Sequence, residues 1–119
     1  MSLQTEFSFQ LPKGYVDEGG GLHREGAMRL ANARDEIEPL RDPRVRENEA
    51  YLTVIVLSRV ITRLGEVTQV TPKIVENMFA SDLAYLQDVY SIINFGNPND
   101  LESLKDPAPL ADGPREAGG

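Results

Sequence analysis

Residues Tyr51 to Leu64 make the longest strongly apolar stretch of the chain, interrupted by Arg59 and Arg63. Taken alone, Val54-Ile55-Val56-Leu57 is β-branched and reads as a buried strand. The polar positions favour another reading. Arg59, Thr62, Arg63 and Glu66 recur at i, i+3, i+4 and i+7, which is one narrow helical stripe. Leu52, Ile55, Val56, Leu57, Val60, Ile61 and Leu64 fill the rest of the circumference. The spacing therefore predicts a helix over 49–64 that neighbours cover on most sides, with Gly65 at the position of a left-handed C-cap. The stretch is too short and too charged to cross a bilayer, which takes about 20 apolar residues.

The elements that could cover this helix lie on both sides of it. Thr5, Phe7, Phe9 and Leu11 alternate with Glu6, Ser8 and Gln10, the period of a half-buried strand. Pro12, Gly14 and Gly19-Gly20-Gly21 break the pattern, with Asp17 and Glu18 in a solvated turn. A second strand over 22–30 places Met28 and Leu30 on one face. Gly26 in its middle points to a bulge or a close backbone approach. Together these predict a hairpin over 5–31. Asn32 is a suitable N-cap for a short helix over 32–39, which Pro39 and Pro43 limit. The charged run 41–49 reads as an exposed linker. Thr71-Pro72 opens a helix over 72–79, and Ser81 caps another over 82–94, which Gly96 and Pro98 end.

Composition supplies the remaining bounds. The chain has 119 residues, 19 acidic and 12 basic, for a net charge of −7. Four of its eight prolines lie beyond residue 97, where the sequence ends in Glu-Ala-Gly-Gly. The expectation is one α+β domain over 1–96, a small N-terminal hairpin packed on three to four short helices. A disordered, acidic, Pro/Gly-rich tail over 97–119 follows. A surplus of acid disfavours nucleic acid as a partner. Met1 to Gln10 has neither a basic nor an apolar leader segment, so a cytoplasmic location is expected.

Chemistry is sparse. With no cysteine and a single histidine, His23, neither a disulfide, a thiol nucleophile nor a ligand set for a metal is expected. The Gly19–Gly21 run lacks the Lys-Ser/Thr of a phosphate loop, since Leu22-His23-Arg24 follows it. Asp35, Glu36 and Glu38 read as first-turn acids favoured by the helix dipole rather than as acid/base groups. No cofactor and no enzymatic activity are expected. Arg59 and Arg63 read first as partners for the chain's own acids and second as a clamp for a partner's carboxylates. Tyr51, Tyr85 and Tyr90 read as core or interface aromatics.

An ordered series of motifs carries a family resemblance. It runs through Phe-Ser-Phe-Gln-Leu-Pro-Lys-Gly-Tyr-Val-Asp (7–17), Leu-His-Arg-Glu-Gly (22–26) and Met-Arg-Leu-Ala-Asn-Ala-Arg-Asp-Glu-Ile (28–37). It continues with Leu-Ser-Arg-Val-Ile-Thr-Arg-Leu-Gly (57–65), Val-Thr-Pro-Lys-Ile-Val-Glu (70–76) and Asp-Leu-Ala-Tyr-Leu-Gln-Asp (82–88). Over residues 7–95 the chain resembles the small tail assembly proteins, chaperone-like, of contractile phage tails and phage-like contractile injection systems. The resemblance implies an accessory binding protein that keeps the tape-measure protein soluble during tail assembly. A retained baseplate or tube-adaptor component is the alternative. Some members carry a cysteine-containing C-terminus suggestive of zinc, for which this chain has no counterpart. A helix-in-groove mode would set the partner between the 51–64 and 82–94 helices. Arg59, Arg63, Tyr85, Leu86 and Tyr90 are the candidate contact residues.

Overall fold

The computed structural model describes residues 3–105. It is an α+β fold whose three-stranded antiparallel sheet has the order β1-β2-β3. β1 (Glu6–Val16) and β2 (Leu22–Arg29) form the N-terminal hairpin. Phe7, Phe9 and Leu11 are buried and Glu6, Ser8 and Gln10 are exposed, as the alternation predicts. The strand does not stop at Pro12. It continues through a register irregularity between Gln10 and Tyr15 and pairs again, Tyr15 with His23 and Val16 with Leu22. Asp82 makes this continuation possible. Its wholly buried carboxylate accepts the backbone N–H of Lys13 at 2.8 Å and of Gly14 at 2.9 Å, two donors that the irregular ladder leaves over. The hairpin turn is tight because the Asp17 carboxylate accepts the N–H groups of Gly19 and Gly21.

The central apolar stretch divides. α3 (Tyr51–Val60) ends four residues before the expected boundary, and Ile61–Leu64 is β3, a third strand. The predicted helix over 49–64 is therefore corrected at its C-terminal part. Ile61 turns extended, and Met28↔Ile61, Ala27↔Arg63 and Gly26↔Leu64 pair along the free edge of β2. Gly26 admits the new strand. A Cβ there would lie 2.3 Å from the Arg63 carbonyl oxygen and 2.5 Å from the Phe9 ring. Thr62 and Arg63 occur at strand positions, so their match to a helical stripe was coincidental. Gly65 does take a left-handed conformation, φ +55°, but in the turn after β3 rather than at a helix end.

α1 (Ala33–Ile37) has a reciprocal capping box between Asn32 and Asp35. Pro39 then falls in a 3-10 turn over Glu38–Arg41, where its missing N–H is tolerated. The expected exposed linker contains α2 (Pro43–Glu47), capped by Asp42 and anchored by buried Val45. α4 (Pro72–Glu76) starts at the predicted Thr71 cap and ends three residues early. α5 (Ala80–Phe95) starts two residues before the prediction, so Ser81 lies inside it and Phe79 is its uncapped N-terminal flank. Of the expected tail, residues 98–101 form a 3-10 turn and Glu102–Lys105 form α6, with Leu101 and Leu104 packed against the core. The rest of the expected disordered tail, 106–119, lies outside the described residues. Phe9, Leu11, Met28, Leu57, Val60, Leu64, Leu86 and Val89 share one buried cluster, so sheet, α3 and α5 close on a common core.

Candidate functional site

A groove of about 420 Å³ runs where α3, α5 and the α1 segment meet. Leu52, Val56 and Leu57 of α3 and Leu40 of the 3-10 turn give it apolar walls. Gln87, Tyr90 and Ser91 of α5 supply a mixed wall, and Glu36 is its one charged lining residue. The spacing Leu52/Val56 sets both side chains on one face of α3, one turn apart. Ile37 and Leu40, three residues apart, stay more than half exposed at 57% and 53%. A solvent-facing apolar strip of this kind is what an incoming helix can cover.

Polar contacts fix the groove's shape. Tyr90 donates its hydroxyl proton to Glu36 Oε2 at 2.5 Å, joining α5 to α1. Burial, and then the Glu36 carboxylate, push the Tyr90 phenol well above its ordinary pKa, so it stays a donor. Asn94 accepts from the Ala31 N–H and donates to the Tyr90 carbonyl, both at 2.9 Å. Behind the α1 wall, Asp35 is 2% exposed and takes Arg29 Nη1 at 2.7 Å and Arg59 Nε at 3.1 Å. Arg59 also reaches Glu38 at 2.9 Å. The Arg29 guanidinium, with the Asn32 N–H and Arg59 in support, holds the Asp35 carboxyl well below the usual carboxylate range.

The five candidate residues separate into four environments. Arg59 is spent on Asp35 and Glu38, as the first reading of its sequence position has it, and it braces α1 against α3. Leu86 is fully buried and so is core, not contact surface. Tyr90 lines the expected groove. Tyr85 points elsewhere: its hydroxyl accepts the Gln10 N–H at 3.1 Å and its ring meets Phe9 edge-on at 6.5 Å. Arg63, carried on β3 rather than on a helix, lines a different cavity together with Tyr85. Leu40 and Glu36 were missed as groove residues. Leu40 sits after Pro39, beyond the expected helix, and only the 3-10 extension carries it onto the α1 face.

His23 is engaged structurally. Its Nε2 lies 2.7 Å from Asp17 Oδ2, and its Nδ1 accepts the Glu66 N–H at 3.3 Å, which makes Nε2 the protonated nitrogen. Among the described residues no three imidazole or carboxylate groups converge as a metal site, and no helix is long and apolar enough to cross a membrane. The groove offers apolar walls together with hydrogen-bonding groups. No family model matches the chain, and no curated protein or solved structure matches it either.

Proposed function

We propose that this chain is an accessory binding protein of the tail assembly chaperone kind, which keeps a tape-measure protein soluble while a contractile tail or injection device assembles. The observation that carries the reading is the groove between α3 and α5, where Leu40 is exposed, Leu52 is half-buried and buried Val56 forms the floor. A tape-measure protein is a long helix with apolar stripes exposed until the tube encloses it. Two turns of such a stripe suit a groove of this chemistry, with anchors at i, i+3, i+4 and i+7. The net charge of −7 opposes association between copies and keeps a loaded complex dispersed.

Co-expression with a candidate tape-measure protein from the same genome tests the reading. The soluble fraction of that partner should rise when this chain is present, and an unchanged fraction refutes the chaperone role. Mass spectrometry of purified particles separates the alternative. A chaperone is absent from the finished particle, whereas a baseplate or tube adaptor is present at fixed stoichiometry.

A further inference from the structure

We propose a second binding site, in the cavity between β2, β3, Tyr85 and the α6 segment, that takes an acidic peptide segment of a partner carrying apolar side chains. The cavity measures about 580 Å³ and shares no lining residue with the α3–α5 groove. Its charges set it apart from the rest of the molecule. Arg24 and Arg63 line it with one carboxylate, Glu25, so it is locally cationic on a chain of net −7.

Four other arginines each meet an acid: Arg29 meets Asp35, Arg34 meets Glu38, Arg44 meets Asp42 and Arg59 meets both Asp35 and Glu38. Arg41 and Arg46, away from this cavity, meet none among the described residues. Among the described residues no carboxylate lies within ion-pair distance of Arg24 or Arg63. Arg63 makes one long contact, Nη2 to the Gly26 carbonyl at 3.4 Å, and is otherwise exposed. Arg24 is held in place by the carbonyls of Leu11 at 3.0 Å and Pro12 at 3.3 Å, which orient its guanidinium without neutralising it. Tyr85 accepts the Gln10 N–H through its oxygen, so its own proton is free to donate.

These groups select the occupant. Two guanidiniums and a phenol suit a carboxylate. Leu101 and Leu104, half-buried on the core, make an apolar wall that a free anion would leave unfilled. A second copy of this chain would bring its own surplus of acid into the approach, a general repulsion that a short acidic segment lacks.

The test is a titration of the isotope-labelled full chain, followed by amide chemical shifts. One probe is a short peptide alternating Glu and Leu; the control replaces each Glu by Gln. The Glu peptide should shift Gly26, Arg63, Tyr85 and Leu104, and the Gln peptide should bind at least tenfold more weakly (roughly the value of one charge-assisted contact). Arg63→Gln should weaken the Glu peptide by about tenfold. Leu104→Glu, which tests another wall, should weaken it too. Equal binding of both peptides overturns the proposal, as does a response confined to the α3–α5 groove. Inorganic phosphate matching the Glu peptide would mean a simple anion site and overturns it as well. So would dimerisation that Arg63→Gln abolishes, or peptide binding seen only after residues 106–119 are removed.

Discussion

Asp35 joins three elements through one carboxylate: Arg29 from β2, Arg59 from α3 and the Asn32 N–H of its own cap. Asp35→Asn leaves a neutral amide facing two guanidiniums. These arginines remain 35% and 30% exposed, so water screens the loss. We expect a destabilisation of about 2–3 kcal/mol, read from urea unfolding midpoints. The pH dependence has a defined sign. The folded-state pKa of Asp35 lies below its unfolded value of about 3.9. Its stabilisation is therefore complete above roughly pH 5 and is lost as pH falls through 4 toward the folded value. Wild-type stability should decline over that range, and Asp35→Asn should flatten the decline. At Gly26 the constraint is steric rather than electrostatic. Gly26→Ala puts a methyl group 2.3 Å from a backbone oxygen, and the protein should lose about 1–3 kcal/mol, with faster hydrogen exchange in residues 61–64. The sequence showed the glycine and its meaning as a close approach. It did not show which backbone approaches.

At the scale of elements, legibility followed the range of the forces that make each one. The Asn32 and Thr71 caps are local hydrogen bonds between residues three apart, and both stand where the sequence put them. β3 is different, since its partner is β2, more than thirty residues away. Ile61 and Thr62 satisfy either period, and the free edge of β2 decides between them. The continuation of β1 past Pro12 likewise depends on Asp82, nearly seventy residues on, which reads in sequence as an ordinary first-turn acid of a helix. Asp82→Ala should therefore act at a distance. The Lys13 and Gly14 amides would lose their acceptor, at a cost of about 1–3 kcal/mol. Their exchange should accelerate while the Phe7 and Phe9 amides stay protected. Thr71→Ala, by contrast, should cost about 1 kcal/mol, confined to α4.

Over the whole molecule, the α+β class and the N-terminal hairpin followed by helices were readable, because each of these buried faces announces its own period, while β3, α2 and α6 were not. The grouping of the candidate residues was not. Tyr85 and Tyr90 lie on one helix but serve different cavities, and Arg59 and Arg63 are separated by the change from α3 to β3. Faces of this kind are set by what the rest of the chain packs against them. The central claim is that the α3–α5 groove holds an apolar helix of the tape-measure protein. Leu52→Asp tests it most directly, because position 52 is the second residue of α3, where a carboxylate suits the helix dipole and the fold should persist. The measurement is the affinity of the purified variant for the tape-measure protein, with its amide spectrum recorded as a control for folding. A loss of roughly 30-fold or more, with the spectrum otherwise native, is the predicted result. Undiminished binding by a folded Leu52→Asp chain would contradict the account.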